Sequence, residues 1–213
     1  MQARREEVSV LLVAESRMDM DHGTISDRVA SYLDEIEKVV KSISRADVRV
    51  VVDRLFDAWR EQRTTYIIGN GGSASTASHM MNDLNKMTTV EGAQRFRAIA
   101  LTDNMPYITA IGNDIEYSDV FVEQLRNLLC PKDVLIAISG SGNSENIIRA
   151  AKYARRIGAG VIALCGNPGS RICECADAVV NVAAESICHQ EDGHLILNHA
   201  IALALRERIA VTL

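Results

Sequence analysis

Aromatic residues are scarce in this chain of 213 residues, of which Phe, Trp and Tyr make up 4%. Hydrophobic residues still amount to 47%, so the core must be built from aliphatic side chains, alanine and methionine. There are only three prolines, and an aliphatic core with few prolines favours helices packed on a parallel sheet. Length and composition together predict one globular α/β domain and exclude a fibre or a disordered chain.

A basic surplus and a long apolar run are also missing. The net charge is −5, which argues against a general nucleic-acid surface, because such a surface needs an excess of Lys and Arg. No apolar run approaches the roughly 20 residues that cross a bilayer. The five cysteines are an odd number, which does not make a disulfide framework and favours reduced thiols. We therefore predict a cytoplasmic protein without a nucleic-acid or membrane partner.

Hydrophobic spacing predicts two N-terminal helices followed by a region in which strands and helices alternate. The helices begin at about residue 24 and at residue 45, where apolar residues recur three and four apart. Most strands are apolar on both faces, which predicts a parallel sheet between two helical layers. Residues 1–23 are predicted to be a flexible arm, and residues 24–213 a single domain. The predicted strands are 64–69, 97–102, 133–139, 159–165 and 176–182, and the helices between and after them are 74–87, 105–128, 144–157, 169–175 and 187–210.

Two loops rich in glycine and serine follow the predicted first and third strands. The first is GNGGSAS, from Gly69, and the second is SGSGNS, from Ser139. Each combines exposed backbone N–H groups and hydroxyls with the start of a helix, and this arrangement binds anions, phosphate above all. Neither matches a P-loop or the dinucleotide fingerprint. Ordinary glycine turns with serine N-caps are the alternative, but two such loops in one small domain favour phosphate binding.

Histidines and carboxylates are concentrated on two predicted helices. His79 and Asp83 are four residues apart and share a helix face, and Glu191 and His199 are eight apart on the last helix and share another. Such a set suits a divalent metal with nitrogen and oxygen ligands, and it equally suits a general acid/base pair. Solvated helix faces without a function are the third alternative.

At these residues the sequence resembles a known family. The segments GNGGSASTASHMMNDL, LTDN, AIGNDIEYSDVF, DVLIAISGSGNSENIIRA and EDGHLILNHAIALAL are similar to those of the sugar isomerase (SIS) domain proteins. Within these, the chain is most similar to the phosphoheptose isomerases, which interconvert sedoheptulose 7-phosphate and D-glycero-D-manno-heptose 7-phosphate. The similarity spans residues 25–210, nearly the whole chain.

The resemblance implies a five-stranded parallel sheet in a flavodoxin-like three-layer sandwich, with two N-terminal helices that mediate oligomerisation. It implies an aldose–ketose isomerase that binds a sugar phosphate, carries one zinc per subunit and forms a homotetramer with its sites at subunit interfaces. Asp83 and His199 are then the catalytic residues, and zinc is held by His79, Asp83, Glu191 and His199. The implied substrate-binding residues are Asn70, Gly71, Gly72, Ser73, Thr102, Asp103, Ser139, Gly140, Ser141, Ser144 and Glu191.

The chain departs from the family pattern at three of these positions, one of which is Gly140, where the family has a threonine. Asp83 stands where the family has a glutamate, and Glu191 where it has a glutamine. A second alignment of the last helix puts Gln190 on that glutamine and Asn198 on the catalytic histidine. We prefer the first alignment because it keeps an imidazole at the catalytic position, His199.

A non-catalytic SIS protein, either a sugar-phosphate-binding regulator or an adaptor of the type that binds a replication initiator, is the competing class. Such a protein has no need for His79, Asp83, Glu191 and His199 together. The sequence therefore favours an enzyme that shifts a proton between C1 and C2 of a sugar phosphate through an enediolate.

Overall fold

A computed structural model describes residues 22–213 of the chain. The described residues fall into two compact units, residues 22–38 and 39–213. The predicted flexible arm, apart from its last two residues, lies outside the described residues and stays a prediction. None of the described helices combines the length and the apolar character that crossing a membrane requires.

Eight α-helices and five strands are present among the described residues, and they alternate as predicted after the second helix. The helices are α1 (His22–Ser42), α2 (Arg45–Arg60), α3 (Gly72–Lys86), α4 (Met105–Asp114), α5 (Val122–Leu128), α6 (Glu145–Ile157), α7 (Arg171–Cys175) and α8 (Ile187–Ala210), with the strands β1 (Thr65–Gly69), β2 (Ala98–Ala100), β3 (Val134–Ser139), β4 (Gly160–Cys165) and β5 (Ala178–Asn181).

The sheet is fully parallel, with strand order β2-β1-β3-β4-β5. This is the flavodoxin-like order, in which the chain reverses its direction of winding between β1 and β3. The expected five-stranded parallel sheet is therefore confirmed. Ligands of such sheets bind beyond the carboxyl ends of the strands, next to the reversal point, and both glycine-serine loops begin there.

Alternate residues of each strand face opposite helical layers, because side chains alternate along a strand. Tyr66, Ile68, Leu135 and Ala137 belong to a buried cluster with residues of α5, α6 and α7. On the other layer, α8 packs against both α2 and α3. The contact between α3 and α8 matters most for function, because it brings together two helices that are distant in sequence.

The predicted helix over residues 105–128 is wrong in its continuity. The chain forms α4, a short 3₁₀ turn at Tyr117–Asp119, and then α5. Ile115, which ends α4, has φ −124° and ψ −94°, outside the helical region. The residues before it are Gly112, Asn113 and Asp114, three poor helix formers in succession, so the last turn of α4 is easily broken.

Candidate functional site

Two histidines and an aspartate converge where α3 packs against α8. His79 and Asp83 lie one turn apart on α3, and His199 lies on α8. The Nε2 atoms of the two imidazoles are 3.2 Å apart. Asp83 Oδ2 lies 3.3 Å from His79 Nε2 and 3.6 Å from His199 Nε2. The structure therefore brings together three of the four metal ligands that the sequence predicted.

The spacing and burial of these three groups fit a divalent metal ion. Zinc bonds to nitrogen and oxygen are about 2.0–2.1 Å, which puts neighbouring tetrahedral ligand atoms about 3.3 Å apart. The three ligand atoms here lie close to that separation. The Asp83 side chain is only 4% exposed, whereas His79 and His199 are 42% and 45% exposed. A buried carboxylate and two accessible imidazoles leave one side of the group open to a further ligand.

Glu191, the fourth predicted ligand, is not part of this compact group. Its carboxylate lies against Gly72, at the first residue of α3, where a Cβ atom would overlap it. A helix N-terminus attracts negative charge, which explains this placement. The adjacent Gln190 donates from Nε2 to the Ala184 carbonyl oxygen at 2.6 Å. Glu191 thus reaches the first glycine-serine loop, and its role as a metal ligand stays a prediction.

Two side-chain amides hold the Asp83 carboxylate, and sequence reasoning gave neither of them this role. Asn198 Nδ2 donates to Asp83 Oδ2 at 2.9 Å, and Asn82 Nδ2 donates to Oδ1 at 3.1 Å. Asn198 is fully buried. Its position next to His199 made it an alternative match for the catalytic histidine, but its amide bonds to Asp83 Oδ2 while the imidazole of His199 faces His79.

The first loop is fixed by a reciprocal pair of amides. Asn70 and Asn146 exchange hydrogen bonds of 3.0 and 2.9 Å, and the Tyr117 hydroxyl donates to Asn70 Oδ1 at 2.9 Å. The segment that carries Tyr117 is tied to α6 by Arg149, which binds Glu116 and Asp119. Those two carboxylates raise the pKa of Arg149 above its usual range. Asn146 and Tyr117 lie far from Asn70 in sequence, which is why no local pattern identified them.

Gly69, at the start of this loop, has no room for a side chain. A Cβ atom there would overlap the backbone carbonyl of Ser73 in the first turn of α3. We expect Gly69→Ala to lower the free energy of unfolding by about 2 kcal/mol, because the backbone must shift to accept the methyl group. Urea unfolding monitored by circular dichroism measures this change.

Gly112→Ala is the matched control for that experiment. Gly112 is an exposed residue within α4, with open space where the Cβ atom would lie. The same substitution there should raise stability by about 0.5–1 kcal/mol, because alanine favours helix. Equal stability of the Gly69→Ala variant and the wild type would show that the Ser73 backbone does not pack closely against Gly69.

The second loop leads into the N-terminus of α6. Ser139 is buried, and its Oγ accepts a hydrogen bond of 3.1 Å from Gly142 N. Ser141 Oγ accepts one of 3.3 Å from Asn143 N. Ser144 is the N-cap residue of α6, but its hydroxyl makes no capping hydrogen bond. Ser139 therefore shapes the loop, and Ser141 and Ser144 carry hydroxyls at a helix end suited to an anion.

Thr102 and Asp103, which follow β2, are linked to α3 through Ser78. The Ser78 hydroxyl donates to Asp103 Oδ1 and lies 3.2 Å from Thr102 Oγ1. Ser78 directly precedes His79, so one turn of α3 joins the two predicted substrate positions to the histidine. The sequence held a signal for Ser78, since it lies two helical turns after Gly71 and therefore on the same face of α3 as the loop.

Comparison with known proteins agrees with this geometry. Residues 31–166, more than half of the chain, match the family model of the SIS domain. A curated phosphoheptose isomerase from Mycobacterium tuberculosis is 36% identical over 154 residues, covering 72% of this chain and 78% of that protein. Another, from Geotalea daltonii, is 32% identical over 186 residues, covering 86% of this chain and 96% of that protein.

A solved structure shows the same likeness in three dimensions. The phosphoheptose isomerase from Neisseria gonorrhoeae superposes with a TM-score of 0.80 at 30% sequence identity. The match covers 86% of this chain and 100% of that one. The fold and nearly the whole length are therefore shared with this protein.

Proposed function

The chain belongs to the SIS domain family, and we propose that it is a phosphoheptose isomerase, which interconverts sedoheptulose 7-phosphate and D-glycero-D-manno-heptose 7-phosphate. The observation that carries this proposal is the group of His79, Asp83 and His199. It adds a set of proton-transferring side chains to a chain whose relatives are named phosphoheptose isomerases. A protein that only bound a sugar phosphate would gain nothing from that set.

Asp83 and His199 act as the acid/base pair in this proposal. An aldose–ketose shift needs a base that takes the proton from one carbon and an acid that serves the sugar oxygens. The 3.6 Å separation of Asp83 Oδ2 and His199 Nε2 supports this pairing, because a carboxylate and an imidazole this close together can reach the same pair of carbons. The exposure of His199 leaves its ring accessible to a substrate.

Zinc is the metal we propose for this group, one ion per subunit. His79, Asp83 and His199 would hold it, and Glu191 is the proposed fourth ligand. Two imidazoles and a carboxylate are a donor set that zinc favours, and the buried charge of Asp83 calls for a cation beside it. When bound, zinc would supply positive charge that polarises the sugar oxygens.

The two glycine-serine loops bind the phosphate end and the sugar hydroxyls in this proposal. Ser141 and Ser144 offer hydroxyls at the N-terminus of α6, while Ser139 and Gly140 shape that loop. His79 lies seven positions after Gly72 on α3, a rise of about 10 Å. Binding energy gained at a phosphate far from the reacting carbons serves to orient them. The remaining proposed substrate contacts are Asn70, Gly71, Gly72, Ser73, Thr102, Asp103 and Glu191.

A homotetramer with its sites at subunit interfaces is the assembly we propose. Exposed apolar side chains support it: Ile196 and Leu203 lie on α8 on either side of His199, and Ile25, Val29 and Leu33 lie on one face of α1. Apolar surface of this kind favours association. We place the protein in the cytoplasm, where its five thiols stay reduced.

Direct assay tests the proposed function. Purified protein is incubated with sedoheptulose 7-phosphate, with and without added zinc, and the aldose product is followed by NMR. We expect conversion, and we expect prolonged treatment with a chelator to remove it and zinc to restore it. Sedoheptulose without phosphate is the control and should react far more slowly. No conversion with zinc present would overturn the proposal and favour a non-catalytic binding protein.

A further inference from the structure

Asn198, at the contact between α3 and α8, is a polar residue whose burial destabilises the fold and which takes no direct part in the proposed chemistry. Asn198 is completely buried, and it lies on the inner face of α8 with Leu197, Ile201 and Leu205. In the part of the chain that the structure describes, no group hydrogen-bonds to its Oδ1 atom. A buried amide with an unsatisfied oxygen destabilises a fold. A leucine would suit packing alone better.

Within residues 22–213, the side chain of Asn198 makes one hydrogen bond, and it goes to the reactive side of Asp83. Asn198 Nδ2 donates at 2.9 Å to Oδ2, and this is the oxygen that faces both His79 and His199. The terminal torsion of an aspartate is soft, so its two oxygens exchange places unless a neighbour holds them. Asn198 is the neighbour that holds the oxygen nearest the imidazoles.

We propose that Asn198 is a positioning residue: its amide aims Asp83 Oδ2 at His79 and His199 and so sets the geometry of the metal and proton-transfer site. This inference rests on the proposed function. It also accounts for an aspartate at position 83, because a short carboxylate reaches the imidazoles only from a fixed orientation. Groups behind a metal ligand commonly change metal affinity by 10- to 100-fold when they are replaced.

Metal affinity measured without substrate tests this role. The probe is Co²⁺, bound in competition with a chromophoric chelator and read by the visible absorption of the bound ion. We expect Asn198→Leu to weaken Co²⁺ binding about 10- to 100-fold and to change the absorption spectrum. In turnover assays with zinc, kcat should fall about as much, while KM for the sugar phosphate changes little. Thermal unfolding should occur at the same temperature or higher.

Asn82→Ala is the matched control, because Asn82 donates to the other oxygen of the same carboxylate and is exposed. We expect it to change Co²⁺ affinity less than threefold. If Asn198→Leu does not fold, Asn198→Ala and Asn198→Ser replace it, and serine, which keeps a donor, should lose less than alanine.

Unchanged Co²⁺ affinity and spectrum in a folded Asn198→Leu or Asn198→Ala variant would overturn the positioning role. So would a wild-type chain that binds no Co²⁺. A wild-type chain that binds Co²⁺ through Asn198-dependent geometry but converts no sedoheptulose 7-phosphate would overturn the proposed function and support the positioning role. The two failures are therefore distinguishable.

Discussion

Replacing Asp83 with asparagine is expected to lower kcat by about 10³-fold, within the range that a general acid or base contributes. The substitution removes the negative charge and the basic oxygen that face His79 and His199 but keeps the shape of the side chain. The fold should survive, because the amide oxygen of the new side chain can still accept the hydrogen bond from Asn198 Nδ2. Steady-state kinetics with sedoheptulose 7-phosphate, together with thermal unfolding, separate these two effects.

Asp83→Glu is the informative companion to that variant. It restores the residue of the family pattern, yet it lengthens the arm by one methylene, and a displacement of about 1 Å costs on the order of 10²-fold in rate. Asp83 is buried and already within 3.3 Å of His79, so the longer side chain lacks room. We expect a clear loss of kcat. Full activity of Asp83→Asn would contradict the catalytic assignment. Full activity of Asp83→Glu would contradict only the expectation that the site has no room for the longer side chain.

Local spacing predicted the part of this site that lies on α3, whereas the residues opposite it on α8 depend on how the two helices pack. His79 and Asp83 share a face of one helix by their four-residue spacing alone. Nothing in that spacing tells which residue of α8 lies opposite. The hydrogen bond from Asn198 to Asp83 joins residues 115 positions apart. Asn198 and His199 are adjacent on α8 but point in different directions, so an alignment error of one residue exchanges their roles.

The strands were predictable because burial on both faces leaves an apolar run of characteristic length. Their order in the sheet depends on how distant segments pack, and no pattern within a strand indicates it. The break between α4 and α5 was missed because the segment over 105–128 has helical spacing on both sides of Ile115. The position of Glu191 at Gly72 was missed for a related reason: helix periodicity gives the face of a side chain but not the loop that its end reaches.

Acidification from pH 6.5 to pH 4 is expected to lower the free energy of unfolding by about 3 kcal/mol through one buried residue, His194. Burial lowers the pKa of His194 from 6.5 to about 4, opposed only in part by the backbone of Cys165. The side chain is almost fully buried, and neither ring nitrogen meets hydrogen-bond geometry with a group in the described part of the chain. The folded protein therefore keeps this imidazole neutral.

The sign follows from which state binds the proton. Between pH 6.5 and pH 4 the unfolded chain protonates His194 and the folded chain does not, so protons favour unfolding over that interval. Above pH 6.5 both states are neutral at this residue, and below pH 4 both are charged, so the contribution is constant on either side. The loss of stability is thus confined to the interval between the two pKa values.

Urea unfolding at half-unit steps from pH 4 to pH 7.5 measures this contribution for the wild type, His194→Leu and His194→Gln. In both variants the free energy of unfolding should depend less steeply on pH between pH 4 and pH 6.5. The change in slope should correspond to up to one proton fewer taken up on unfolding, whatever the stability of the variant at neutral pH. Agreement between the two separates titration from packing, because leucine and glutamine fill the site differently but neither titrates. A wild-type dependence that persists in both variants would show that other groups, and not His194, bind the proton on unfolding.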